Sequence, residues 1–400
     1  MNERRFCYFD HNATTSVAPE VVDAMLPFFR KHWGNPSSAY AFGRDVARHL
    51  ETARAQVAAL IGAEPREILF TSCGTESNNT AWNSALMAQP DKRHVVTTAV
   101  EHSANLKFAE ALRRRGFEVT TLPVDPNGQL DLYQLEQAIR PDTALVSVMW
   151  ANNETGVLFP IAEVAAICRS KGVLCHTDAV QAAGKVPVNV QAAAVDFLSL
   201  SGHKLHAPKG VGGLYVRRRT RFVPYLVGGH QERGRRGGTE NVPYIVGFGR
   251  AAELALAHFD EENRRVRALR DRLEARVLAA IPQSARNGAQ EPRLPNTANL
   301  AFPAVEAEAM LMLLDQLGIC AAGGSACTTG SLEPSHVLTA MGLSAAQARG
   351  SIRFSLGRVI READVDYLLA KLPGVVAKLQ AIAPDGPAQP PRAATADQAA

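Results

Sequence analysis

Apolar and polar positions follow two rhythms along this chain of 400 residues. Between residues 67 and 218, short runs dense in apolar and β-branched residues recur: EILFTS (67–72), HVVTTAV (94–100), EVTTLPV (118–124), ALVSVMW (144–150), VLCHTD (173–178), DFLSLS (196–201) and GGLYVRR (212–218). Runs of this length and composition predict strands. Amphipathic segments separate several of them, such as NLKFAEALRRRG (105–116) and LYQLEQAI (132–139). This alternation predicts an α/β fold, with a mostly parallel sheet of seven strands covered by helices.

After about residue 258 the rhythm changes. DEENRRVRALRDRLEARVLAAI (260–281) predicts one long amphipathic helix, followed by TANLAF (297–302), EAEAMLMLLDQLG (306–318) and SIRFSL (351–356). These shorter pieces predict a smaller α+β domain, joined to the first through the long helix. The expected division is a large domain over 16–258 and a small one built from 1–15 and 259–383. The Pro- and Ala-rich stretch 384–400, PDGPAQPPRAATADQAA, is expected to be disordered.

Composition narrows the function classes. A hydrophobic fraction of 46% and a charged fraction of 20% are those of a globular protein, and a net charge of +4 gives no general affinity for nucleic acid. The basic clusters RRRTR (217–221) and ERGRR (232–236) read as solvated faces or as contacts to one anion. No apolar run is long enough to span a membrane, and MNERRFCYFD lacks the apolar stretch of a signal peptide, so the expected location is the cytoplasm. The six cysteines (7, 73, 168, 175, 320, 327) form no CxxC pair, which argues against a disulfide framework or a zinc site. Cys168 and Cys175 lie in apolar segments, where a thiol serves as a small hydrophobe.

Strand ends carry the candidate chemistry, since ligands of open α/β sheets bind there. SCGTESNN (72–79) follows a strand and opens a helix, so Gly74 and Thr75 can offer N–H groups and a hydroxyl to a phosphate. It is neither GxxxxGK[ST] nor GxGxxG. EHSAN (101–105) brings His102, ANNETG (151–156) brings Asn153, and HTDAVQAAG (176–184) brings Asp178 and Gln181. SGHKLHAPKGVGG (201–213) brings Ser201, His203 and Lys204. Each alone reads as ordinary capping or surface polarity. Together they are what pyridoxal 5′-phosphate needs: a lysine to bond to, a carboxylate for the pyridinium nitrogen, a phosphate cradle and a ring to stack on. A further stretch, GGSACTTGS (323–331), sets Cys327 among residues that pack no core.

At this length and spacing the motifs resemble those of the cysteine desulfurases of the NifS/IscS group, within the class V aminotransferase-like, fold-type I enzymes, and most closely the nitrogenase-associated NifS type. The matching stretches include FDHNATT (9–15), GNPSS (34–38), TSCGTESNN, VMWANNETG, HTDAVQAAGK, SLSGHKLHAPKGVG, GGHQERGRRGGTEN, LPNTAN (294–299), GSACTTGSLEPSHV and IRFSLGR (352–358). The resemblance implies that Lys204 bonds to the cofactor, Asp178 pairs with its pyridinium nitrogen, and His102 stacks on its ring and moves protons. Gln181 and Asn153 would contact its phenolic oxygen. Gly74, Thr75, Ser201, Gly202 and His203 would hold its phosphate, joined by Thr239 from the other subunit of a homodimer. Arg353 and Asn35 would grip the carboxylate of L-cysteine. Cys327 would take the substrate's sulfur as a persulfide and pass it to an acceptor or iron–sulfur scaffold protein, with Gly323, Gly324 and Gly330 giving its loop mobility. Cys327 would also be the residue to ligate a cluster in transit, although one thiolate is a poor cluster site. Two other readings fit less of the chain: an aminotransferase or a β-lyase releasing free sulfide, and a sulfur-carrying or assembly scaffold without catalysis.

Overall fold

The computed structural model describes residues 5–324 and 333–383. A two-residue strand β1 (Cys7–Tyr8) precedes the main sheet, whose strands are β2 (Ile68–Thr71), β3 (His94–Thr98), β4 (Glu118–Leu122), β5 (Thr143–Ser147), β6 (Leu174–Asp178), β7 (Phe197–Ser201) and β8 (Gly212–Val216). Their spatial order is β2-β8-β7-β6-β5-β3-β4. Only β8 runs against its neighbours; the other pairings are parallel. All seven strand predictions fall on these strands. The inner strands are buried along their length except at Leu174, which starts β6, as helices on both faces require. Edge strand β4 carries Glu118, Thr120 and Thr121, and it is the one largely open to solvent.

Helices Gly74–Met87 and Ser103–Arg114 follow β2 and β3, and Ile161–Ser170 leads into β6. Three further helices, Pro19–Arg30, Ala41–Leu60 and Val242–Ala257, pack together beside the sheet.

The second core has its own sheet. Strands β9 (Ala285–Arg286), β10 (Thr297–Ala301), β12 (Ala322–Gly323) and β13 (Ser351–Ser355) run antiparallel in the order β12-β13-β10-β9. The long helix Phe259–Ala280 and the helix Glu362–Ile382 supply Leu269, Leu273, Leu368 and Leu372 to this core. Cys7 and Phe9 belong to the same core, because β1 pairs in parallel with β11 (Ile319–Cys320) and Asp10 bridges Ser355. The chain then crosses to the main sheet, where Thr15 binds the His203 carbonyl through both its N–H (3.0 Å) and its hydroxyl (2.9 Å).

One expectation is corrected. Gly323 is not part of a loose stretch: it lies in β12, paired with Ile352. Gly324 is needed for its backbone, at φ +35°, where a Cβ would also come within 2.9 Å of Ser335 Cβ. Cys327, Gly330 and the tail 384–400 lie outside the described residues.

Candidate active site

A cavity of about 320 Å³ opens where strands β3, β5, β6 and β7 end. Each strand end is fixed by a local device. His102 is the N-cap of helix Ser103–Arg114; its Nδ1 accepts the Ala104 N–H (3.1 Å). After β5, the Asn152 Oδ1 accepts the N–H groups of Glu154 and Thr155 (2.9 Å each), a turn that sets Asn153 and Glu154 on the cavity wall. Beyond β6, the Asp178 carboxylate accepts from Asn78 Nδ2 (2.6 Å) and Val180 N–H (3.0 Å). After β7, the one-turn helix Gly202–Lys204 delivers Lys204, whose Nζ donates to the carbonyls of Asn12 (2.5 Å) and Ala13 (2.7 Å). Gln181 Nε2 donates to the same Asn12 carbonyl (2.9 Å).

At the foot of β2, Gly74 starts helix Gly74–Met87 so close to its surroundings that a Cβ would meet Val180 Cγ2 at 3.0 Å and Ser201 Cβ at 3.4 Å. The first-turn N–H groups of this 14-residue helix have no intrahelical acceptor, and Gly74, Thr75 and Ser201 line the cavity beside them. Arg353, on β13, is fully buried; its Nη2 pairs with Asp10 Oδ1 (2.7 Å) and its Nη1 donates to the Asn153 carbonyl (3.0 Å). Arg353 Nε has no partner among the described residues, and neither does Asn78 Oδ1. Desolvation drives the electrostatics here: burial lowers His203 to a pKa of about 4, helped by the charge of Lys204. Glu101, beneath His102, is raised to about 7 by burial, against the hydrogen bonds of Asn105 and the Met149 N–H.

The structure therefore brings together Gly74, Thr75, His102, Asn153, Asp178, Gln181, Ser201, His203, Lys204 and Arg353 on one wall system. Gly202 sits just behind it, where a Cβ would meet Val211 Cγ1 at 2.9 Å. Thr239 and Asn35 do not join the cavity. Both are exposed, and they share a separate surface depression with Trp33. Sequence reasoning assigned no role to Asp10, Asn12, Asn78, Glu154 and His336; the last four line the cavity, and Asp10 pairs with Arg353 in its wall. The signal was available for all five, inside FDHNATT, TSCGTESNN, ANNETG and GSACTTGSLEPSHV.

An open sheet with a lysine, a carboxylate and a helix start at its strand ends defines a class, and sequence comparison gives the same one: residues 7–368 match the family described as "Aminotransferase class-V", and the chain belongs to that family. Within it, the chain is 54% identical over 389 residues to "Cysteine desulfurase NifS" of Azotobacter vinelandii, covering 96% of this chain and 97% of that protein. It is 54% identical over 377 residues to "Cysteine desulfurase" of Trichormus azollae, covering 94% of each. Among solved structures, one described as a NifS-like protein superposes with a TM-score of 0.88 at 39% identity, covering 94% of this chain and all of that one.

The family is pyridoxal 5′-phosphate-dependent, and the residues present fit that cofactor. The cleft that a Cβ at Gly74 would fill, the free first-turn N–H groups and the Ser201 hydroxyl suit a phosphate. The Asp178 carboxylate, held by two donors, suits a pyridinium nitrogen, and Lys204 reaches into the same space.

Proposed function

We propose that this protein is a cysteine desulfurase that takes sulfur from L-cysteine, leaves L-alanine, and supplies the sulfur for iron–sulfur cluster assembly. What supports this most is one cavity lined by Lys204, Asp178 and the buried guanidinium of Arg353, in a chain whose relatives carry that name over nearly their whole length.

In this reading Arg353 and Asn35 hold the substrate carboxylate; a planar fork suits Arg353 to a bidentate grip. Lys204 is the covalent anchor of the cofactor and the base that takes the Cα proton, and Asp178 faces the pyridinium nitrogen. Gly74, Thr75, Ser201, Gly202 and His203 bind the phosphate, while Asn153 and Gln181 serve the phenolic oxygen. When bound, the cofactor supplies the electron sink that lets the Cα proton leave. The Cys327 thiolate attacks the substrate sulfur: an S–S bond forms, the C–S bond breaks, and its electron pair stays with Cβ. That carbon then takes a proton and becomes the methyl of alanine, with His102 in reach as a proton carrier. The persulfide on Cys327 goes to an acceptor protein.

The reading includes a cytoplasmic homodimer, in which the exposed Asn35 and Thr239 serve the neighbouring subunit's site. It divides the chain into a large domain over 16–258 and a small one from 1–15 and 259–383. Mass spectrometry after incubation with L-cysteine, without reductant, tests the reaction. The peptide containing Cys327 should gain one sulfur atom, alanine should appear, and Cys327→Ser should abolish both. Full-rate alanine and sulfide release by Cys327→Ser would replace the desulfurase with a β-lyase.

A further inference from the structure

The proposed reaction leaves one lysine near the cavity without a task. Lys185 follows Gln181 by four residues in the tight turn after β6. Its Nζ donates to two oxygens of Gln181, the main-chain carbonyl and side-chain Oε1, at 3.1 Å each. On the other side of the same amide, Gln181 Nε2 donates to the Asn12 carbonyl at 2.9 Å. That carbonyl also receives Lys204 Nζ. Gln181 is buried and lines the cavity with Asn12 and Lys204.

The two contacts have a fixed polarity. A lysine ammonium can only donate, and a main-chain carbonyl can only accept. Turning the amide over would set its NH2 against the ammonium and its oxygen against the Asn12 oxygen, so both hydrogen bonds would become repulsions. With Oε1 held by Lys185, the second N–H of Nε2 remains for the cavity. We infer that Lys185 is a positioning residue: it locks the Gln181 amide so that this wall offers a donor, not an acceptor, to whatever oxygen sits beside Lys204. The inference rests on the cofactor reading above, in which that oxygen is the phenolic oxygen of pyridoxal 5′-phosphate.

The charged and titratable groups that face Lys185 are Lys204, Glu262, His11, His203 and His206. Burial first, and Lys204 second, lower its pKa to about 7, while Glu262 opposes them. Once the proton is lost the amine can also accept, and the sense of the amide then rests on the Nε2 bond to the Asn12 carbonyl.

The test is cofactor affinity, not turnover. Apoprotein is titrated with pyridoxal 5′-phosphate and binding is read by tryptophan fluorescence, for wild type, Lys185→Met, Lys185→Arg, Gln181→Ala and the Gln181→Ala/Lys185→Met double variant. A hydrogen bond to a charged group is worth about tenfold or more in affinity, so Lys185→Met should weaken binding by about that factor. Lys185→Arg, also donor-only, should stay within about twofold of wild type. In the Gln181→Ala background, adding Lys185→Met should change little, since the lysine acts through that amide. The inference is overturned if Lys185→Met binds like wild type, if arginine loses as much as methionine, or if the full loss persists without Gln181. Should the methionine variant not fold, Lys185→Gln against Lys185→Arg decides: the amide can donate or accept, so it should lose severalfold where arginine does not. Wild-type apoprotein that binds no pyridoxal 5′-phosphate would instead overturn the cofactor reading itself.

Discussion

Replacing Arg353 by lysine separates two tasks that its guanidinium combines. The side chain is fully buried and spans Asp10 (2.7 Å) and the Asn153 carbonyl (3.0 Å), with Nε left over. Lysine keeps a positive charge for Asp10 but loses the fork. Its stability cost should be that of one hydrogen bond, about 1 kcal/mol. The cost toward substrate should be larger, because a bidentate grip on a carboxylate becomes a single point contact. At about 1.5–3 kcal/mol for a hydrogen bond between charged groups, the KM for L-cysteine should rise roughly 10- to 150-fold. Methionine removes the charge as well. Breaking a buried pair costs about 3–5 kcal/mol; the Asp10 side chain keeps 16% exposure, which puts Arg353→Met near the lower end. The assay is a urea midpoint on each variant with KM measured on the same preparations. A lysine variant with wild-type KM would refute the assignment of Arg353 to the substrate carboxylate, and one as unstable as the methionine variant would refute the charge pairing with Asp10.

Three further outcomes are expected. Lys204→Ala should fold and lose alanine formation, and mass spectrometry under denaturing conditions after borohydride reduction should find no cofactor attached to the chain; attachment at another residue would contradict its role. Glu232→Gln should lower stability by about 3–5 kcal/mol in denaturant melts, since it leaves Arg54 buried against an amide in place of a carboxylate gripped at 2.7 and 2.8 Å; a loss under 1 kcal/mol would show the pair to be dispensable. His176 lies between the Ser147 and Ser199 hydroxyls, and burial lowers its pKa from 6.5 to about 3. The unfolded chain therefore takes up a proton that the folded chain refuses, and stability is lost as pH falls from 6.5 toward 3, by about 4 kcal/mol at the end of that window. His176→Gln should unfold with about one proton less uptake over that range, and an unchanged acid slope would count against the assignment.

Much of this architecture was readable from residue order, for a local reason. The seven main strands are short β-branched runs between polar breaks, so their own composition announces them. The two-residue strands β1, β9, β11 and β12 carry no period at all, and only their partners make them strands. Strand ends pointed to Lys204, Asp178 and His102 because each lies at the end of its strand or within a few residues of it. Asp10 lies inside a recognised motif, FDHNATT, but its task was not readable there: its partner Arg353 is 343 residues away, and nothing beside it in the chain suggests the ion pair. Asn35 and Thr239 illustrate a further limit, since a motif can mark a residue without telling that the folded chain sets it outside the cavity.

The path of residues 7–15 has a consequence for how the protein is made. This segment forms β1, pairs with Ile319 and Cys320, bridges Ser355, and then supplies the Asn12 and Ala13 carbonyls to Lys204. On the ribosome it emerges before the main sheet, yet its partners emerge after that sheet. The main sheet can assemble as soon as residue 216 is out, domain by domain as large chains do, but until β11 and β13 have followed, the floor under Lys204 has its contacts to His203, Asn153 and Gln181 without its strand pairing. A nascent chain stalled before residue 319 would thus hold Lys204, Asp178 and Gly74 without a closed pocket. Tight cofactor capture becomes a late event in synthesis, and it marks a chain that has been translated well past its seven-stranded sheet.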